Sequence, residues 1–99
     1  MADYIFLMHG LPESLKSVET DWAPYLKRLE AGGHLRGGSA IGHGACFNRN
    51  GAAFGITAHL TGFVRVEADS LEAASTLLPG NPVYEAGGTV EIRELPKTE

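Results

Sequence analysis

Tyr4-Ile5-Phe6-Leu7-Met8 is an unbroken apolar run near the start of the chain. It is too short and too aromatic for a good helix, so it predicts a strand over residues 3–9. Pro12 and Glu13 then open a loop. Val18, Trp22, Tyr25 or Leu26, and Leu29 recur at helical spacing and predict a helix over about residues 18–31, stopped by Gly32-Gly33. Pro24 is tolerated early in a helix, where a missing N–H costs least, so the regular part begins near Thr20 or Asp21.

Between residues 34 and 62 the alternation is broken by glycine at 37, 38, 42, 44, 51, 55 and 62. Strands are expected over residues 34–42 and 45–56, with Asn48-Arg49-Asn50-Gly51 as a turn. So many glycines point to bulges, close backbone approach or a mobile hairpin. From Gly62 the pattern sharpens: Phe63, Arg65 and Glu67 alternate with Val64, Val66 and Ala68, as in a half-buried strand. Asp69-Ser70-Leu71-Glu72 reads as a helix start, an acceptor side chain followed three residues on by Glu. Leu71, Ala74, and Leu77 or Leu78 line one face of that helix, and Pro79-Gly80 ends it. After Asn81-Pro82 a last strand is expected over residues 84–94, with Gly87-Gly88 as a bulge and Val90 and Ile92 facing inward.

The order strand, helix, two glycine-rich strands, strand, helix, strand fits one α+β domain over residues 1–99, a ferredoxin-like sandwich with an antiparallel sheet and two helices on one face. The first strand is apolar on both faces: Tyr4, Phe6 and Met8 point one way, Ile5 and Leu7 the other. Two helices cover one face only. The other would leave apolar surface in water at about 25 cal/mol per Å². The simplest cover is the same face of a second copy, so a homodimer with its sheets face to face is expected.

Composition narrows the partners. The 99 residues carry 8 Lys+Arg against 12 Asp+Glu, a net charge of −4, with 43% hydrophobic residues. That balance argues against nucleic acid and against an anionic membrane, which both need a basic surface. No stretch is long and apolar enough to span a bilayer, and the lone Cys46 excludes an internal disulfide framework. The acidic start lacks the pattern of a secretory signal, so a cytoplasmic location is expected.

Gly62-Phe63-Val64-Arg65-Val66-Glu67-Ala68-Asp69-Ser70-Leu71-Glu72-Ala73-Ala74 resembles the G-F-x-x-x-E-A-x-S-x-x-E-A block of the YCII-related family, which includes the DGPF-domain proteins. The opening apolar strand is similar, as are Trp22-x-x-Tyr25-x-x-x-Leu29 with Gly33-His34-Leu35 and Gly37-Gly38, and Gly80-Asn81-Pro82 with Gly87-Gly88-Thr89-Val90-Glu91-Ile92-Arg93. The resemblance covers nearly the whole chain. It implies a dimeric α+β barrel of ferredoxin-like subunits and says little of activity. One branch of the family carries a His–Asp pair proposed for acid/base work. By that resemblance its positions fall on Trp22 and Asn81, an indole and an amide that cannot serve as base. The DGPF hallmark is replaced by Gly51-Ala52-Ala53-Phe54, and Leu60-Thr61-Gly62-Phe63 stands where L-G-G-F is common.

The chemistry-bearing residues are few. None of His9, His34, His43 and His59 has a recognised metal-ligand spacing, and no metal or other cofactor is expected. His9 ends the first strand, where a ferredoxin-like cleft opens, and is the best proton-transfer candidate, with His59 as a second. Cys46 near His43 reads as a nucleophile or, more simply, as a small apolar strand residue. Trp22 and Tyr25 read as a ligand platform or, more simply, as core packing, and Trp22 also takes a cleft position by resemblance. Asn81 with Tyr84 suits a ligand's polar group, while Asn81 also suits the turn before Pro82. The first functional reading is therefore a homodimer binding a small organic molecule in a cleft. The second is a cofactor-independent isomerase, lyase or oxygenase-like enzyme using a His as acid/base. An interaction module is a third, without direct support.

Overall fold

The structure is a computed structural model that describes residues 1–9, 22–51, 53 and 55–97. Its elements are β1 (Ala2–His9), α1 (Trp22–Ala31), β2 (Leu35–Ala40), β3 (Leu60–Ala68), α2 (Leu71–Ser75), α3 (Pro82–Glu85) and β4 (Thr89–Leu95). The sheet runs β2-β3-β1-β4 with every neighbour antiparallel. That is the ferredoxin-like arrangement expected from the element order.

Alternation along β1 sends Tyr4, Phe6 and Met8 into the core, where Phe6 has no exposure at all. Phe6 lies opposite Val64 of β3 and Ile92 of β4. Tyr25 and Leu29 of α1, Ala74 of α2 and Val83 of α3 pack onto this same face and complete the core. The Tyr25 hydroxyl donates to Leu77 O at 2.8 Å, tying α1 to the segment after α2. Gly33, at φ +79°, ends α1. Its amide donates to Glu30 O and that of His34 to Leu29 O, a Schellman closure. The onset expected for this helix at Val18, Thr20 or Asp21, and the loop at Pro12, lie outside the described residues.

Three expectations need correction. Residues 84–94 are not one strand: Asn81 caps α3 through Oδ1, which accepts from Tyr84 N at 3.1 Å, and Pro82 occupies the first helical turn. Asn-Pro here is a helix start rather than a strand approach. Gly87, at φ +90°, ends α3 and releases β4 at Thr89, with Gly88 N donating to Val83 O. A strand over 45–56 is also absent among the described residues, apart from the bridge Asn48↔Gly51. Phe47 is 91% exposed and Ile56 80%, so this segment has no face to bury, whereas its Asn48–Gly51 turn forms as read. The second helix starts at Ser70, not Asp69: Ser70 Oγ accepts from Ala73 N at 3.0 Å. It stops at Ser75, and Leu77 and Leu78 continue as tight turns.

No described helix packs on the other sheet face. There Leu7 lies between Phe63 and Glu91, and Ile5 between Arg65 and Arg93. Ile5, Leu7 and Phe63 stay partly exposed, among charged residues that include the Arg36–Glu67 ion pair at 2.8 Å.

Burial pushes the Tyr25 hydroxyl above its ordinary range, opposed in part by the Asn81 amide and the Arg28 guanidinium. A group whose pKa rises on folding adds stability that is complete below the unfolded value, about 10, and is lost as pH climbs through the folded one. Tyr25→Phe is expected to cost about 1–2 kcal/mol at pH 7 by orphaning Leu77 O. It should also flatten the loss of stability above pH of about 10. Urea midpoints at the two pH values check both, and an unchanged midpoint at neutral pH contradicts the first.

Candidate functional site

One end of the sheet gathers the end of β1 at Met8-His9, the end of β2 at Ala40 and the start of β3 at Leu60. On the helix side of this end lies a cleft of about 590 Å³. Trp22 and Leu26 of α1 form one wall, Met8, Val64 and Val83 the base, and Leu35 one side. Gly38 and Gly62 form a floor without side chains. The sheet itself demands this: a Cβ on Gly38 would come within 2.7 Å of Phe63 O, and one on Gly62 within 3.1 Å of Ser39 O. Among the described lining residues, only Ser39 and Thr61 have polar side chains. Thr61 Oγ1 is directed to Met8 O at 3.4 Å.

The ligand candidates separate. Trp22 lines the cleft and meets Tyr25 edge-on, ring centroids 6.0 Å apart. Tyr25 is buried behind it with its hydroxyl committed to Leu77 O. Asn81 is fully buried, and its side chain caps α3. Tyr84 is half exposed on α3. Neither Asn81 nor Tyr84 lines the cleft.

The histidine candidates converge elsewhere. His9 follows Met8, so alternation turns its ring to the opposite face of the sheet from the cleft. There it stacks on His59, centroids 4.6 Å apart and planes 25° apart. His9 Nε2 lies 2.8 Å from Glu91 Oε1, and Arg93 Nη1 donates to Glu91 Oε2 at 3.3 Å. The hydrogen bond from His9, then that from Arg93, holds the Glu91 carboxyl below the usual carboxylate range. Glu91 is absent from the sequence-based candidates. Its signal was the alternation Val90-Glu91-Ile92-Arg93, which puts Glu91 and Arg93 on the uncovered face. The register that sets Glu91 diagonal to His9 was not visible. His34 Nδ1 donates to Glu67 O at 2.9 Å, His43 is exposed and Cys46 is partly buried. Among the described residues no three His, Cys, Asp or Glu side chains are grouped to hold a metal ion.

No family model matches the chain, and no curated protein matches it. Among solved structures it is similar to the 5-chloro-2-hydroxyhydroquinone dehydrochlorinase of Burkholderia phenoliruptrix AC1100, in complex with 2,5-dihydroxybenzoquinone. The TM-score is 0.64 at 18% identity, over 97% of this chain and 95% of that one. The likeness establishes a shared fold.

Because folding depresses the Glu91 pKa, its ion pairs add stability above the unfolded value, about 4.3, and lose it as pH falls through the folded one. Stability of the native chain is expected to drop more steeply between pH of about 5 and 3 than that of Glu91→Gln. Urea melts across this window compare them; parallel slopes contradict the assignment.

Proposed function

We propose that the chain is a cytoplasmic homodimer, a diverged relative of the YCII-related proteins, that binds a small, flat, mostly apolar organic molecule. The observation that carries this reading is the cleft of about 590 Å³ between Trp22 and the glycine floor. Apolar clefts of several hundred Å³ with a few polar groups suit small organic ligands. A floor of Gly38 and Gly62 favours a planar molecule, since a ring can approach the backbone there as no side chain would permit. The similar dehydrochlorinase, crystallised with 2,5-dihydroxybenzoquinone, supports a flat ring as occupant.

The dimer reading rests on the uncovered face. Ile5, Leu7 and Phe63 are ringed by Arg36, Arg65 and Arg93 and by Asp3, Glu67 and Glu91. Three positive and three negative groups make the face neutral at pH 7, and a neutral, mixed face suits another copy of itself across a two-fold axis. The cytoplasmic reading rests on the single cysteine.

Trp22 is the single tryptophan, so its fluorescence reports on the cleft directly. Titration with 2,5-dihydroxybenzoquinone should quench it saturably. Leu26→Glu, a good helix former that places a charge in the wall, should weaken binding about tenfold or more. Quenching of equal affinity in both proteins would place the occupant elsewhere. For assembly, light scattering should give twice 10.5 kDa for the native chain and the single-chain mass for Leu7→Glu. A native mass of one chain at micromolar concentration rules the dimer out.

A further inference from the structure

The stacked histidines and Glu91 lie outside the cleft and play no part in the binding proposed for it. We propose that His9, oriented by Glu91 and faced by His59, is a general base that removes a proton from a carbon beside the carbonyl of a small organic molecule. The site is built from three elements that meet at one end of the sheet: the end of β1, the turn before β3, and β4.

Its chemistry follows from the nitrogen that each group occupies. Glu91 Oε1 accepts from His9 Nε2, and this fixes the proton on Nε2. Nδ1 then keeps a lone pair, and no described residue hydrogen-bonds to it. A carboxylate behind an imidazole also stabilises the imidazolium that forms when Nδ1 takes a proton. Arg93, on the second oxygen of Glu91, keeps that carboxyl ionised. Among the described residues, the charged or titratable groups facing His9 are thus His59 from the turn before β3 and Glu91, backed by Arg93, from β4.

The surroundings suit a carbonyl compound. Leu7 and Phe63 share the face with His9 two residues along β1; that face is the one the proposed dimer covers, so their apolar seat lies where the two copies meet. Arg93, which donates to Glu91 Oε2, is the positive group on the His9 side for a developing enolate oxygen, while the Arg65 guanidinium turns to β2 and donates to Arg36 O at 2.7 Å. In the step itself the C–H bond breaks and an N–H bond forms at His9 Nδ1. The C–H electron pair becomes the new C=C bond, and the carbonyl π pair moves to oxygen. Return of the proton to another atom of the same molecule completes an isomerisation with no change of oxidation state. His9 is the catalytic residue and Glu91 a positioning residue.

The probe is 5-nitrobenzisoxazole, a flat molecule whose ring C–H is removed by a base as its N–O bond breaks, releasing a coloured phenolate. Native protein should exceed free imidazole at equal concentration. His9→Gln should lose about tenfold or more of that rate. Glu91→Gln should lose several-fold, with Glu91→Asp restoring part of the loss. Saturating 2,5-dihydroxybenzoquinone, the probe of the cleft, should leave the rate in place, which separates this site from the cleft. A native rate no better than imidazole, or a folded His9→Gln with native activity, overturns the proposal. Nitrogen NMR of the native chain decides it where variants do not fold. A neutral His9 carrying its proton on Nε2 supports the assignment, and one protonated on Nδ1 overturns it.

Discussion

The packing of β1 is the constraint on which the rest of this molecule depends. It is a central strand, hydrogen-bonded to β3 on one side and β4 on the other, so its edges are closed. Its faces are apolar in both directions, and the described helices cover one of them. On the covered side Phe6 and Met8 anchor every layer of the core. On the other side Ile5 lies between Arg65 and Arg93, and Leu7 between Phe63 and Glu91, so long side chains shield part of the apolar surface. That compromise explains why these residues are half-buried in one chain without a helix above them.

Glycine sets the second constraint, at the end of the sheet. Gly38, opposite Val64, and Gly62, opposite Ala40, are diagonal neighbours across β2 and β3, where each strand's carbonyls crowd the position of the other's Cβ. A cleft floor of bare backbone follows. The register of β2 shifts between Leu35 and Gly37, φ +137°, and Gly37 to Ala40 beyond the shift line the cleft. Structural necessity and a binding-shaped hollow thus have one origin.

Most of the fold was legible because burial leaves a periodic mark. Tyr4-Phe6-Met8 and Val64-Val66-Ala68 alternate cleanly, and both runs are core strands. Tyr25 and Leu29 are four apart, and both are buried on one helix face. Legibility failed where local chemistry outweighed pattern. Val83-Tyr84-Glu85 reads equally well as strand, and only the cap from Asn81 with proline behind it decides for helix. Residues 45–56 held enough β-formers to look like a strand, but propensity does not supply a partner. Trp22 was readable as a cleft residue by resemblance. Glu91 was not, because its relation to His9 crosses 82 positions of sequence and exists only through the β1–β4 register.

That register makes Met8 and His9 neighbours with opposite duties. Met8 points into the cleft and His9 to the far face, and Thr61 binds the carbonyl between their peptide planes. A side-chain period of two means that a slip of one residue in β1 would exchange them, putting an imidazole in the apolar cleft and a thioether beside Glu91. The pairing irregularity between Met8 and His9 against β3 sits at this point. It ends the regular ladder just where the chain must hold an apolar wall on one side and a charged array on the other. Phe6 pins the register from the core, because moving it outward would expose the most deeply buried aromatic ring of the sheet. The placement of both chemical features at the sheet end is therefore a consequence of core packing two residues away.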